Sequence, residues 1–525
     1  MKVVIATVAA LLLPVLNSQG DDALEMPAHG KAEHVVLVVW DGMRPDFVTE
    51  KYAPTLFKLS HDGVVFQNNH AAYVTSTEVN GTVLSTGVYP DRSHLIANIE
   101  YRPSIDPLSP FGTEMSEAIR KGDADGKYIA VPTVEEILQA HGFRTVVAGT
   151  KAVALLPDRS EKRVSDAAKS SVVIYNGKSI PPTAIDDATR ALGGAFPPEV
   201  NFPNVDEDAW TTRALTEFLW KDGVPKFSLL WMSDPDFSQH NSAPGAPIAL
   251  GAIKSVDDNL ARVLAALDAK GVRDTTDVIV VSDHGFSTVE KNSHAIMDLT
   301  QAGFSATDKF KEAPKPGDLM VVSVSGSLLL YVSGHDAAVV QKLVDFFQGW
   351  GDTGVILTKQ KMTGTFTLEQ AHVDSPEAPD VMVSLRWDDN ANKYGVPGSI
   401  HAEPARKVGQ GMHATLSKFD MHNTLIAEGP DFKHNAVDGY PTGNVDVAPT
   451  ILWLLGVTPP AKPDGRVLFE ALAGFPYDNG AVTSNMVESA RNEKNIHWRQ
   501  YLKFTHFKES VYLDEGNGEQ ERQPE

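Results

Sequence analysis

The stretch HVVLVVWDG, from His34 to Gly42, is a run of β-branched and apolar residues that stops at a carboxylate and a glycine. A strand that is apolar at every position is buried on both faces, and such strands belong to parallel sheets covered by helices on either side. Three later runs repeat the pattern: TVVAGT from Thr145, FSLLWMSD from Phe227 and DVIVVSDHG from Asp277. Each ends in a polar cluster, as expected where strand C-termini deliver functional groups to the rim of an α/β sheet.

Helical patterns lie between these strands. Val256, Leu260, Val263, Leu264 and Leu267 share one face of a helix that closes at Gly271. Val134–Ala140 opens on Thr133, with Glu136 at the capping-box position, and a late helix opens at Asn444 and closes at Gly456. The expected fold is α/β: a doubly wound, mainly parallel central sheet flanked by helices. Two regions, near 99–130 and 290–405, break the alternation and read as inserted cap elements over the sheet edge. The tail from Gly516 is polar and reads as mobile.

Composition narrows the function. The chain has 525 residues, 42% hydrophobic and 22% charged, which excludes a disordered, collagenous or coiled-coil protein. Its 46 basic and 68 acidic residues leave a formal charge of -22, which opposes binding to a nucleic-acid duplex or an anionic membrane. Lys2, the apolar run from Val3 to Leu16 and then Ser18-Gln19-Gly20 read as a cleaved signal peptide over residues 1–20. The run falls short of the ~20 residues of a comfortable span, so no stable membrane anchor is expected. The remainder, 21–525, reads as a single catalytic domain, exported to a bacterial periplasm or secreted. There is no cysteine, so disulfides, thiolate metal sites and cysteine nucleophiles are all excluded.

Any metal must then sit on histidines and carboxylates, and these gather at the strand ends. Asp41 ends the first run, Asp236 and His240 follow the third, Asp283 and His284 end the fourth, and His413 lies in GMHATLS. Taken singly, each has a plain reading: Asp41 and DHG serve as ordinary turn residues, and an Asp four residues before a His arises by chance. Together they exceed one four-coordinate site and suit two ions, Zn²⁺ or another divalent metal, clamping a phosphoryl group. The segment TSTEVN from Thr75 offers hydroxyls ahead of a helix-like run, where a nucleophile and a helix N-terminus would meet a phosphate.

These motifs, in this order, resemble the type I phosphodiesterase / nucleotide pyrophosphatase branch of the alkaline phosphatase superfamily. Asp41 to Asp46 is similar to its DGxRPD element and Ala53 to Phe66 to its TPNLxxLxxxGV helix. Thr77 with Asn80, followed by TGVYP at 86–90, matches its nucleophile segment, and NVDVAPTILWLLGV from Asn444 with the later DGR matches its C-terminal signature. The resemblance covers roughly 33–470 and implies an alkaline-phosphatase-like fold. It implies one metal on Asp236, His240 and His413 and the other on Asp41, Asp283, His284 and the Thr77 oxygen. Thr77 would form a phospho-threonine intermediate, with Asn80 and the Thr77 backbone N–H binding a phosphoryl oxygen. The substrate would be a small phosphate ester. Asn98 and Lys151 are further candidate substrate-binding residues.

Several alternatives stay open. Asp234 competes with Asp236, Thr75 and Ser76 with Thr77. His422 reads as structural, and His294 and His401 as solvated or pocket-lining. The family's HGY reads His413-Ala414-Thr415 here, and the His-Gly after TGxYP reads His94-Leu95. TKAVALLP from Thr150 resembles a segment of Thr-dependent alkaline phosphatases that carries a Lys and an Arg, but the Arg position is Val153. With half of that clamp, diesters or nucleotide pyrophosphates are favoured over monoesters. A phosphomonoesterase, a phosphonate hydrolase and an exported metal-dependent binding protein remain the rival readings. The sequence carries no signal for oligomeric state.

Overall fold

The computed structural model describes residues 29–123, 128–198, 200–476, 480–493 and 496–520. The leader expected over 1–20 lies outside these residues.

The four apolar runs are strands of one nine-stranded sheet. In chain order its strands are β1 (His34–Trp40), β2 (Val64–His70), β3 (Thr145–Gly149), β4 (Val172–Tyr175), β5 (Lys178–Ile180), β6 (Phe227–Met232), β7 (Thr276–Val281), β8 (Leu425–Glu428) and β9 (Ala436–Gly443). Their spatial order is β9-β2-β8-β7-β1-β6-β3-β4-β5. The centre, β7-β1-β6-β3-β4, is parallel. β8 runs antiparallel to both its neighbours, and β5 is an antiparallel edge.

The continuous apolar reading of β1 has its reason in two cores. Val35, Leu37 and Val39 face one of them, and Val36, Val38 and Trp40 face the other. Helix α1 (Pro54–Asp62) and the long α5 (Pro247–Ala269) cover the second face. Helices α2 (Thr77–Thr86), α3 (Val134–Ala140) and α6 (Val447–Leu454) cover the first. The short α4 (Asp236–Asn241) lies at the sheet's C-terminal rim. No described helix is long and apolar enough to cross a membrane.

The two inserted regions differ from a simple rim cap. Ile99–Glu100 pairs with Phe111–Gly112, and the turn between is held by the buried Arg102–Glu100 ion pair at 2.6 Å. Residues 306–385 build a separate six-stranded sheet with its own core. That sheet supports the site from behind: Tyr73 and Val74 of the nucleophile loop and Ala414 beside His413 share a core with its Met320, Val322 and Leu329.

The tail corrects the expectation of a mobile end. β10 (Val482–Glu493), β11 (Ile496–Phe507) and β12 (Ser510–Gln520) form an antiparallel sheet, and Gly516 to Gln520 belong to its last strand. Trp498, Leu502 and Tyr512 are buried there. Residues 516–520 carry no apolar side chain and are held as a strand by their pairing with Trp498–Leu502 of β11, and residues 521–525 lie outside the described residues.

Candidate metal centre and nucleophile

Strand ends bring the ligand candidates together. Asp41 follows β1, Asp283 and His284 follow β7, and α4 carries Asp236 and His240 just beyond β6. Gly42 makes the turn after Asp41 at φ +71°, and a Cβ there would stand 2.9 Å from the Phe286 ring. Its N–H donates to Asp283 Oδ1 at 3.0 Å, which locks two strand ends to each other.

All three histidines are oriented in the same way. Nδ1 of His240, His284 and His413 faces the carbonyls of Gly411, Gly285 and Thr75 at 3.1, 2.9 and 2.7 Å. A nitrogen facing a carbonyl must donate, so each Nε2 is turned inward with its lone pair free. His240 Nε2 lies 3.1 Å and His413 Nε2 3.5 Å from Asp236 Oδ1, and His284 Nε2 lies 3.3 Å from Asp283 Oδ2 and 3.7 Å from Asp41 Oδ1. Those same carboxylate oxygens, Asp41 Oδ1, Asp236 Oδ1 and Asp283 Oδ2, are buried without a hydrogen-bond donor. Lone pairs facing lone pairs in a buried site call for cations, and this donor set fits borderline divalent ions. Ligand atoms of Asp236, His284 and His413 lie within 4.8 Å of one another, as do those of Asp41, Asp283 and His284, so His284 stands between the two halves.

The charge state agrees with that fit. Burial, with Asp283 beside it, pushes Asp41 well above the usual carboxylate range, and burial pushes Asp283 up to about 6. Burial would also raise Asp236, but His240 and Lys151 hold it well below that range. Burial lowers His240, and burial with His413 lowers His284 further, so both rings stay neutral.

Thr77 is the first residue of α2, with Ser76 as its N-cap. Its Oγ1 lies 3.3 Å from His284 Nε2 and 3.4 Å from Lys151 Nζ. Lys151, just past β3, reaches Asp236 Oδ2 at 2.9 Å and Asp41 Oδ2 at 3.0 Å. Burial opposes its charge, yet Asp236, Asp41 and Asp283 outweigh that and raise its pKa. Thr75 is committed elsewhere: its hydroxyl donates to the Thr415 carbonyl. Asp234 accepts from Asn204 and Ser238 backbone N–H groups away from the cluster, which leaves Asp236 as the ligand candidate.

Asn80 departs from the expected oxyanion role. Its amide is consumed by the nucleophile loop: Oδ1 accepts from Ala72 N–H at 2.7 Å and Nδ2 donates to the carbonyls of Ala72 and Ser76. Asn98 is arranged the other way. Its Oδ1 accepts from the Glu78 N–H at 3.0 Å, immediately after Thr77, and no acceptor is recorded for its Nδ2 among the described residues. The first inserted region thus brings an amide against the backbone N–H that follows Thr77.

Three contributors were missed from the sequence. Trp231 is buried and donates to Asp41 Oδ2 at 2.7 Å, and Gly81 lets α2 approach its ring. Asn444, read as a helix cap, donates to the Asp283 carbonyl at 2.7 Å. Glu78 lies beside Thr77, and burial together with Glu114 pushes its carboxyl up to about 8. Its position next to the nucleophile was the available signal. The Ala414 departure keeps the local turn, since Ala414 adopts φ +79°, where glycine is the usual residue.

Comparisons with known proteins place the chain among relatives. A family model described as type I phosphodiesterase / nucleotide pyrophosphatase matches residues 35–394. A bis(5'-adenosyl)-triphosphatase, enpp4 of Xenopus laevis, is 23% identical over 282 residues, 53% of this chain and 52% of that protein. The chain therefore spans about half the length of that relative. Ectonucleotide pyrophosphatase/phosphodiesterase family member 7 of Homo sapiens is 22% identical over 464 residues, 88% of each chain. Among solved structures, an inactive form of murine ectonucleotide pyrophosphatase/phosphodiesterase 5 in complex with AMP superposes with a TM-score of 0.58 at 17% identity. It covers 84% of this chain and 100% of its own, a likeness of fold.

Proposed function

The chain belongs to the type I phosphodiesterase / nucleotide pyrophosphatase family, and from that premise we propose that it is an exported, metal-dependent hydrolase of small phosphodiesters and nucleotide-type pyrophosphates. The observation that carries this reading is Thr77 at a helix N-terminus, with its hydroxyl 3.3 Å from His284 and the six ligand candidates grouped around it. One ion, zinc by donor chemistry, belongs on Asp236, His240 and His413, and a second on Asp41, Asp283, His284 and Thr77. When bound, the two ions supply positive charge against the oxygens on which charge develops.

The protein's own groups supply the rest. Thr77 Oγ1 attacks phosphorus, the bond to the leaving oxygen breaks, and the resulting phospho-threonine is cleared by water. The N-terminus of α2 and the Asn98 amide bind a non-bridging oxygen, replacing the part first given to Asn80. Lys151 adds one positive charge, while the arginine that would complete a clamp is replaced by the buried Val153. That balance supports diesters over monoesters.

The test is hydrolysis of bis-p-nitrophenyl phosphate beside p-nitrophenyl phosphate, with zinc, with chelator and in Thr77→Ala. The expected result is faster diester turnover that chelation and the substitution both abolish. Preference for the monoester would make Lys151 the deciding group and the protein a phosphatase. No metal-dependent turnover of either substrate would leave a narrow-substrate enzyme or a binding protein.

A further inference from the structure

A second convergence of histidine and carboxylate lies behind the nucleophile loop and has no part in the proposed reaction. His70 ends β2, His422 precedes β8, and Asp514 comes from β12 in the C-terminal sheet. Their ligand atoms all lie within 4.8 Å of one another. His70 Nε2 is 2.6 Å and His422 Nε2 3.5 Å from the same oxygen, Asp514 Oδ1. The other oxygen is already served, by the Thr505 hydroxyl at 2.7 Å and the Lys503 ammonium at 3.3 Å.

The tautomer of His70 decides what this means. Its Nδ1 lies 2.7 Å from the Thr442 carbonyl, which can only accept, so Nδ1 carries the proton. A neutral His70 then presents a bare Nε2 to a carboxylate oxygen. At 2.6 Å the pair is held by a proton on Nε2; a metal ion bound at about 2.0–2.1 Å from each atom would replace that proton and part the two atoms to the spacing of tetrahedral ligands. The His70 and Asp514 side chains are only 3% and 5% exposed, while His422 is 28% exposed and opens the cluster to ions from solvent. The His70 orientation, with Nδ1 on a carbonyl and Nε2 inward, is the same as in the candidate catalytic cluster.

We propose that His70, His422 and Asp514 form a third, structural divalent-metal site, with two imidazole nitrogens and one carboxylate oxygen suited to Zn²⁺ and water as the fourth ligand. The site fastens the C-terminal sheet to the end of β2, seven positions before Thr77. It also adjoins the amide network in which Asn423 bonds Asn69 and Asn444.

The experiment strips the full-length protein with chelator, reloads it with Zn²⁺, desalts it and measures zinc per chain. His422→Ala and Asp514→Asn are each expected to hold one zinc fewer than the unsubstituted protein. The rise in Tm on reloading is expected to shrink in both. Should Asp514→Asn fail to fold, the partly exposed His422→Ala decides. Equal zinc content in His422→Ala and the unsubstituted protein would overturn the site and leave His70 as an imidazolium paired with Asp514.

Discussion

The side-chain amide of Asn98 is fixed at its oxygen by the Glu78 N–H, and the proposed reaction gives its nitrogen a phosphoryl oxygen to bind. Asn98→Ala removes a donor aimed at the developing charge, and loss of one such donor typically costs about 10²–10³ in kcat. Steady-state kinetics on the diester should show that fall with zinc content unchanged. A variant within a few-fold of the unsubstituted enzyme would return the donor role to backbone N–H groups alone. Asn80→Ala is the contrasting case: with several buried backbone groups relying on its amide, it should lower Tm first. The metal-ligand candidates were legible in the sequence because few residue types can hold a divalent ion and all but His413 stood at or just beyond the end of an apolar run. The two asparagines were both named as candidates, but their separate roles were not legible, because the three-residue offset from Thr77 to Asn80 does not say which way a side chain turns. Asn98 reaches the nucleophile only through an inserted segment.

At the scale of elements, α3 has both its cap and its liability in the first turn. The Thr133 hydroxyl accepts from Glu136 N–H while Glu136 reaches back to the Thr133 N–H, a reciprocal cap that the spacing had already indicated. Thr133→Ala should cost about 1 kcal/mol, read as a lower denaturation midpoint with an unchanged slope. Glu135, next in line, was not legible as unusual. Burial, with Asp158 and Glu136 nearby, pushes its carboxyl from 4.5 up to about 8. Between those values the folded chain holds a proton that the unfolded chain has lost. Its contribution is therefore intact below pH 4.5 and is lost as pH rises through about 8. Glu135→Gln should remove that slope, so that its Tm gains on the unsubstituted protein from pH 5 to pH 8. Parallel Tm curves for the two proteins over that range would show that Glu135 is already ionised in the fold.

For the whole molecule, the strongly apolar strands fixed the central sheet in the reading of the chain, while the long-range pairings escaped it. The main strands over 306–385 are buried and apolar at nearly every position, the first C-terminal strand is mostly polar, and nothing local says what either sheet packs against. The structure shows what they meet. Gln500 bonds the backbone of Ile356 twice, at 2.7 and 3.1 Å, which joins β11 to the inserted sheet. Tyr512 bonds Asp446 at 2.8 Å, beside α6. Trp498, Leu502, Phe507, Tyr512 and Leu513 are all buried. Each such side chain is worth roughly 1.5–3 kcal/mol, so removing the sheet forfeits on the order of 10 kcal/mol, comparable to the entire stability of a typical domain. A chain ending at residue 481 keeps every proposed catalytic ligand and Thr77, yet it should be recovered insoluble or without a cooperative thermal transition. If instead that truncated chain were soluble, melted cooperatively and turned over the diester, the C-terminal sheet would be an accessory to the fold, and the inserted sheet would have to hold the nucleophile loop unaided.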